Sequence, residues 1–434
     1  MKALIQYTER LAGRLDPPSS KNYTSRYLLV AALADGESVV HFPAHSDDAE
    51  AMLRCLRGFG AQIREERDNR GKPHLYIRGF GRHPANPGVV DPGNAGAVLR
   101  LLLGVGALLP EVRFETRHTE SLGQRPHGDL LSVLEQLGAQ TQSDEGRLPV
   151  VLRGGHLHGG KVQVSGAKSS QYLSSLLFLA PLIGEPVVIE VVDHLVSQPL
   201  IRTTLEVMSQ AGIQVEARAD LLHFSVPGDQ HYHPAAYTVN GDYPSSAAIL
   251  AAGAVTNSPI AVERLFEDCQ GERAVVPLLR RMGVGVDYDG RSVALKGHQG
   301  LRGVDFDGDT ATDMVLAMLA VAAFAEGESR FHGIANLRLK ECDRIAVPVR
   351  ELQRLGVDCE EDPAEILVRG CPAGYEGGME VPTYHDHRVA QLLTIVGLRC
   401  RQGLTVLDAE NVDKSYPAFF QDLIGLGARI ELVE

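Results

Sequence analysis

The nine residues Asn336-Leu337-Arg338-Leu339-Lys340-Glu341-Cys342-Asp343-Arg344 place three cations and two carboxylates just ahead of the apolar positions Ile345, Val347 and Leu352. Alternation of charged and apolar residues through Arg338-Leu339-Lys340 predicts the edge of a half-buried strand. The acidic residues that follow suit the first turn of a helix, where they complement its macrodipole. The same charges would also form a rim around a small anionic substrate, and the rest of the chain decides between the two readings.

Other stretches offer matching chemistry. Lys21 and Arg26, in Ser19-Ser20-Lys21-Asn22-Tyr23-Thr24-Ser25-Arg26, are two cations at a predicted helix start, suited to a phosphate or carboxylate that arginine can bind bidentately. Asp91-Pro92-Gly93-Asn94-Ala95-Gly96 is a tight turn whose glycine lets a ligand approach the backbone. Ser169-Ser170-Gln171 supplies hydroxyl and amide donors. Asp313 lies just inside an otherwise apolar helical stretch, where a carboxylate either caps its neighbours or works as a base. The histidines of His385-Asp386-His387, His156-Leu157-His158 and His231-Tyr232-His233 have no third ligand at a recognisable spacing, so no metal is expected. No Gly-x-Ser-x-Gly elbow is present.

These residues need a scaffold, and the chain carries a repeated one. A helix-like pattern, then a glycine, then a small or β-branched residue recurs six times, at Gly60, Gly138, Gly212, Gly283, Gly356 and Gly427, spaced 78, 74, 71, 73 and 71 residues apart. Glycine after a helix supplies a left-handed C-cap before a strand. Six such phrases predict six related units of about seventy residues. Upstream of each phrase runs a second stretch that is apolar nearly all round: 27–33, 98–109, 172–182, 247–255, 314–324 and 389–398. Helices of that composition are buried, whereas the later ones, such as 345–355, are amphipathic and lie outside. Alternations such as Lys161-Val162-Gln163-Val164 predict strands. The expected class is α/β with helices inside a shell of sheets; no dinucleotide-binding glycine motif argues for a doubly wound sheet. Each buried helix starts with polar or small residues, and cations there (Lys21, Arg26, Arg100, Arg388) oppose the macrodipole unless an anion is shared.

The totals bound the domain count and the partners. A chain of 434 residues predicts two domains rather than one core. The net charge of −13 argues against nucleic acid or an anionic membrane as partner while leaving room for local basic sites. Six scattered cysteines without a Cys-x-x-Cys predict neither a disulfide framework nor a zinc site. The first fourteen residues lack the apolar core of a signal peptide, so the cytoplasm is the expected compartment.

Read together, the motifs resemble those of the enolpyruvyl transferases, in particular the 5-enolpyruvylshikimate-3-phosphate synthases. The resemblance runs in chain order through Ser20-Lys21 and Arg26, Asn94 to Gly96 with Arg100, and Gln124-Arg125-Pro126. It continues through Ser169-Ser170-Gln171, Ser197-Gln198-Pro199, Asp313, Asn336 to Arg344, Asp386-His387-Arg388 and Lys414-Ser415-Tyr416-Pro417. It implies a two-domain inside-out α/β barrel with three βαβαββ units per domain. One domain would comprise residues 1–20 with 241–434 and the other residues 21–240, hinged near Ser20 and Asn240 and closing on substrate. The implied reaction moves the enolpyruvyl group of phosphoenolpyruvate to the 5-hydroxyl of shikimate 3-phosphate through a tetrahedral intermediate, in a monomer, with no metal or organic cofactor.

Site residues follow from the same resemblance. Lys21, Gly96, Arg125, Gln171, Arg344, Arg388 and Lys414 would surround phosphoenolpyruvate. Lys21, Asn22, Arg26, Ser169, Ser170, Gln171, Ser197, Asp313, Asn336 and Lys340 would hold shikimate 3-phosphate. Asp313 would take the hydroxyl proton, and Glu341 and Lys21 would deliver one to the methylene carbon, giving a bell-shaped pH profile. The chain departs from the family pattern at Asn22 (usually serine), Leu200 (tyrosine), Ala97 and Leu101 (threonine and proline) and Cys342 (serine or threonine). None removes a charge. Asn22 and Leu200 bear on the acceptor, so transfer to UDP-N-acetylglucosamine or to another hydroxy acid is the competing enzymatic reading. The stretch 111–125, however, lacks the reactive cysteine of the UDP-N-acetylglucosamine enzymes. A non-catalytic anion-binding relative would have no need to retain every charged residue.

Overall fold

The computed structural model describes residues 1–69 and 71–434. Their helices run in chain order as α1 (Lys21–Leu33), α2 (Asp47–Gly58), α3 (Gly96–Gly106), α4 (Gly128–Gln136), α5 (Ser170–Leu179), α6 (Gln198–Gln210), α7 (Tyr243–Val255), α8 (Val275–Arg281), α9 (Val315–Ala322), α10 (Ala346–Arg354), α11 (His387–Gly397) and α12 (Phe419–Gly425). The odd-numbered helices are the apolar ones of the sequence, and α7, α9 and α11 are buried at every position. The even-numbered helices have one wet face. In α10, Val347, Pro348, Val349, Glu351 and Leu352 are buried, while Arg350, Gln353 and Arg354 face solvent.

The chain divides into two compact units, Met1–Pro18 with Asn240–Glu434, and Ser19–Val239. In the first, α7, α9 and α11 pack on one another; in the second, α3 packs on α5, and α1 on α2 and α6.

Six four-stranded sheets share one topology: a parallel pair, followed by two antiparallel pairings with the last strand of the repeat set inside the third. In one of them, Asp305–Asp307 lies parallel to Glu328–His332, which pairs antiparallel with Glu365–Arg369, itself paired to Asp358–Asp362. A parallel pair needs a crossover connection, and in this sheet the buried helix α9 is that connection. Three sheets borrow strands from a distant part of the chain. Lys2–Ile5 sits between Leu404–Leu407 and Ile430–Val433, and Gly13–Leu15 lies parallel to Ile260–Val262. Ala236–Thr238 returns to Glu37–His41 in the same way. The six repeats are therefore closed within each unit by its own ends.

The six phrase glycines all have positive φ, from +81° at Gly212 to +103° at Gly427. At Gly60 the cap is a complete Schellman motif. The Gly60 N–H donates to Arg57 O and the Ala61 N–H to Leu56 O, both at 3.0 Å. Glycine meets this geometry without Cβ strain.

One expectation is overturned. Residues Arg338 to Lys340 are no strand edge: Ala335–Leu339 is a 3₁₀ turn, with Leu337 buried and Leu339 66 % exposed. The alternation arose from ion pairing, since Arg338 donates to Asp343 at 2.8 Å and to Glu361 at 2.7 Å. The helix reading holds in modified form: Asp343 Oδ1 accepts the N–H groups of Ile345 and Ala346, each at 3.0 Å, and so starts α10.

Candidate active site

The topology explains why the chemical residues lie where they do. The connections that leave the carboxyl ends of a repeat's two parallel strands carry nearly all of them. Asp313 follows Asp305–Asp307, and Asn336 to Arg344 follow Glu328–His332; Asp386 to Arg388 follow Met379–Val381, and Lys414 follows Leu404–Leu407. In the other unit, Gly96 follows Val89–Val90, Arg125 follows Val112–Phe114, Ser169 to Gln171 follow Gly160–Val164, and Ser197 follows Val187–Val191. Parallel strands of one repeat end on the same side, so each repeat collects its polar loops at one end.

In the unit containing the C-terminus, Arg344 is the centre. Its side chain is 2 % exposed, with Nε donating to Asp386 Oδ2 at 2.7 Å and Nη2 to Asp386 Oδ1 at 3.1 Å. Nη2 also donates to Glu341 Oε2 at 3.0 Å, and Nη1 to Asp313 Oδ1 at 3.1 Å. Burial alone would lower its pKa, but Asp386, Glu341 and Asp313 outweigh that cost and raise it. Each outer carboxylate has a lysine as well. Lys414 Nζ lies 2.7 Å from Glu341 Oε1, and Lys340 Nζ lies 3.9 Å from Asp313 Oδ1. Asp313 and Glu341 thus share one guanidinium and have separate ammonium partners.

Asp386 also N-caps α11, accepting the Arg388 N–H at 2.8 Å. The two residues before it, Tyr384 and His385, hold φ of +53° and +57°, a costly conformation for residues with Cβ. Arg388 is buried; its Nη1 donates to Gln391 Oε1 at 3.0 Å while its Nε has no partner among the described residues. The Oδ1 of Asn336 is likewise buried and unpartnered among them, and Asn336 shares no recorded bond with the Arg344 network. Cys342 acquires a role: its Sγ lies 3.5 Å from Asp386 Oδ2, and burial with the Asp386 charge raises its pKa, so it remains a thiol that donates. The thiol thereby stands in for the hydroxyl expected at that position.

In the other unit, Lys21 and Arg26 turn to different neighbours. Lys21, in the first turn of α1, pairs with Asp48 at 3.2 Å; Ser20 caps the helix and the Arg26 Nη1 donates to the Asn22 carbonyl at 3.0 Å. Arg26 is 2 % exposed and also donates to Thr204 Oγ1 at 2.9 Å and the Leu200 carbonyl at 3.3 Å. No carboxylate lies within 4 Å of it among the described residues, and burial pulls its pKa down to about 10. A buried cation without a counter-charge is suited to an anionic ligand. Ser197, ahead of α6, holds φ +52°.

Gly96 opens α3 against Arg125: a Cβ at Gly96 would lie 2.9 Å from Arg125 Nη1. A side chain at this position would make that guanidinium shift from the helix start. The Arg125 Nη2 is buried and unpartnered among the described residues. Arg100 donates to Gln171 Oε1 at 2.8 Å and to Ser169 Oγ at 3.3 Å, with Ser169 capping α5 through the Gln171 N–H and Ser170 buried in its first turn. His127 is fully buried, and burial together with Arg100 and Arg125 pushes its pKa down to about 3, so it stays neutral.

Asp313, Lys340, Glu341, Arg344 and Lys414 therefore form one bonded network, tied through Asp386 to Arg388. Gly96 with Arg125 and Ser169 with Gln171 form contact groups in the other unit. Sequence reasoning missed Asp386 as the anchor of Arg344, Asp48 as the partner of Lys21, and Glu272, whose Oε1 lies 3.4 Å from the Asp313 N–H nitrogen. Asp386 had a signal in its charged motif; Asp48 looked like an ordinary helix-start acid, and Glu272 had none. No group of three His, Cys, Asp or Glu side chains that could hold a metal ion occurs among the described residues, and no helix among them is long and apolar enough to cross a membrane.

A family model described as EPSP synthase (3-phosphoshikimate 1-carboxyvinyltransferase) matches residues 5–423. The chain is 44% identical over 432 residues to a 3-phosphoshikimate 1-carboxyvinyltransferase of Deinococcus radiodurans, covering 99% of this chain and 97% of the relative. It is 33% identical to one of Methanocaldococcus jannaschii, covering 99% of both. Among solved structures, an EPSP synthase from Acinetobacter baumannii superposes with a TM-score of 0.83 at 25% identity, covering 100% of this chain and 99% of that one.

Proposed function

The chain belongs to the EPSP synthase (3-phosphoshikimate 1-carboxyvinyltransferase) family, and on that premise we propose that it transfers the enolpyruvyl group of phosphoenolpyruvate to the 5-hydroxyl of shikimate 3-phosphate, releasing phosphate. The step belongs to aromatic amino-acid biosynthesis, carried out by a monomer in the cytoplasm whose two compact units are the two three-repeat domains. The observation that carries the reading is the pair of carboxylates on Arg344. Asp313 has Lys340 beside it and Glu341 has Lys414, so two acid–base groups are held apart on one buried cation.

The chemistry asks for little else. The acceptor oxygen forms a bond to C2 of phosphoenolpyruvate while C3 gains a proton, giving the tetrahedral intermediate. C3 then loses a proton, the C2–O bond to phosphate breaks, and the double bond returns. We assign Asp313 as the base for the 5-hydroxyl. Glu341, with Lys414 at 2.7 Å to supply a proton, serves the methylene carbon; Lys21 is the other proton donor. Lys21, Gly96, Arg125, Gln171, Arg344, Arg388 and Lys414 bind phosphoenolpyruvate. Lys21, Asn22, Arg26, Ser169, Ser170, Gln171, Ser197, Asp313, Asn336 and Lys340 bind shikimate 3-phosphate. The unpartnered nitrogens of Arg125 and Arg388 and the uncompensated charge of Arg26 support these anion-binding roles.

Incubation with both substrates, followed by proton NMR, tests the proposal. Vinyl protons of an enolpyruvyl ether on the acceptor are expected; their absence, with both substrates intact, would overturn it.

A further inference from the structure

The turn that delivers Asp386 is bent against the preferences of its own residues. Tyr384 and His385, with φ of +53° and +57°, both carry a Cβ in the left-handed region. Such backbone persists only where its neighbours hold it in place. On one side Thr383, fully buried, does so. Its Oγ1 donates to the Asp408 carbonyl at 3.3 Å and accepts from Asn411 Nδ2 at 2.8 Å, while its own carbonyl accepts the Asp386 N–H at 3.0 Å. Asn411 lies in the 3₁₀ turn Ala409–Lys414, and Asp408 immediately precedes it, so the loop that carries Lys414 grips the turn at Thr383.

On the other side stands Glu351, within α10, its side chain only 1 % exposed. The Tyr384 hydroxyl donates to Glu351 Oε1 at 2.6 Å. Arg354 pairs with Glu351 Oε2 and donates to the Glu380 carbonyl at 3.4 Å, in the strand that leads into the turn. Arg350 Nε lies 3.6 Å from Glu351 Oε1, and its guanidinium sits over the Tyr384 ring, 4.8 Å from the centroid. A buried carboxylate is costly unless its oxygens are occupied, and here both are. Tyr384 is thus held at its hydroxyl and at its ring face by one helix, the helix that follows the Arg344 loop.

We propose that Glu351 and Tyr384 are positioning residues for the transfer: their hydrogen bond fastens the 383–386 turn to α10, so that Asp386 meets Arg344 and Arg388 opens α11 in the orientation phosphoenolpyruvate needs. This rests on the assignment of Arg344 and Arg388 to phosphoenolpyruvate made above. The Glu351–Tyr384 tie joins the same two segments as the Arg344–Asp386 pair, and both residues act through Asp386. Without the hydroxyl bond the turn relaxes toward ordinary backbone angles and carries Asp386 away from its place on Arg344. A misplacement of about 1 Å among groups that orient a substrate costs up to about 10²-fold.

The test is steady-state kinetics on two variants. Tyr384→Phe keeps the ring beneath Arg350 and removes only the hydroxyl; Glu351→Gln keeps an oxygen that can accept the Tyr384 hydroxyl. In Tyr384→Phe the KM for phosphoenolpyruvate is expected to rise about tenfold. The KM for shikimate 3-phosphate, most of whose assigned partners lie in the other unit, is expected to stay within about twofold. Glu351→Gln is expected to keep both KM values within about threefold of wild type. A merely structural role lowers the folded fraction, and kcat with it, but leaves both KM values unchanged. That result in Tyr384→Phe, or an equal rise of the phosphoenolpyruvate KM in Glu351→Gln, overturns the proposal. A second readout is nitrogen-15 NMR of the Arg344 Nε–H, identified by its loss in Arg344→Lys. Buried against Asp386, this proton exchanges slowly with solvent, and exchange is expected to quicken about tenfold in Tyr384→Phe. An unchanged exchange rate overturns the proposal. Because this readout needs no substrate, a wild type that fails to turn over with shikimate 3-phosphate refutes the proposed function and leaves the exchange rates to decide the positioning role.

Discussion

Arg344 and Asp386 meet through two hydrogen bonds, at 2.7 Å and 3.1 Å, with side chains only 2 % and 0 % exposed. Forty-two residues apart in the chain, they join the loop before α10 to the start of α11. A buried pair of this kind fixes geometry more than it adds net stability, but removing one partner strands the other. Asp386→Asn keeps the side-chain shape and removes the charge. It is expected to cost about 3–5 kcal/mol in urea unfolding followed by circular dichroism. A loss below about 1 kcal/mol would show that Asp313 and Glu341 suffice to hold Arg344.

Asp313 touches Arg344 and lies near Lys340, so neutralising it alters the base while the cations remain. Asp313→Asn is expected to lower kcat by about 10²–10⁴-fold with KM for both substrates within about threefold, measured by steady-state kinetics. An unchanged kcat would remove Asp313 from the base role.

His127 makes a signed prediction about pH. Its folded pKa of about 3 lies below the ordinary value of 6.5, so the unfolded chain binds the proton first. The folded state therefore suffers no penalty above pH 6.5, and loses stability progressively as pH falls toward about 3. Neither ring nitrogen has a partner among the described residues, so His127→Leu forfeits no hydrogen bond. Between pH 7 and pH 5, the wild type is expected to lose about 2 kcal/mol relative to His127→Leu in urea unfolding. Equal losses in the two proteins would contradict the buried, neutral assignment.

How much of this was legible in the sequence depended on range. The six repeats, the glycine caps and the buried odd-numbered helices were readable because each is written by local periodicity and one backbone requirement. The Ala335–Leu339 turn was misread as a strand edge because the alternation there reflected ion pairs from Arg338 to Asp343 and Glu361, the latter 23 residues away. Charge pairing across loops leaves no periodic trace. For the same reason Asp386 as the anchor of Arg344 and Asp48 as the partner of Lys21 emerged only with the fold. Cys342, an oddity in the sequence, became intelligible once its thiol was found against Asp386. Glu272 could not have been singled out, since its meaning lies wholly in burial and in its distance to the Asp313 backbone.

The central claim is that two carboxylates on one buried arginine, with the cations around them, move an enolpyruvyl group to shikimate 3-phosphate. Its most direct test is phosphate release from phosphoenolpyruvate by the purified protein, with shikimate 3-phosphate, UDP-N-acetylglucosamine or no acceptor present. The account predicts rapid release with shikimate 3-phosphate and none above background in the other two. Release with UDP-N-acetylglucosamine but not with shikimate 3-phosphate would contradict it.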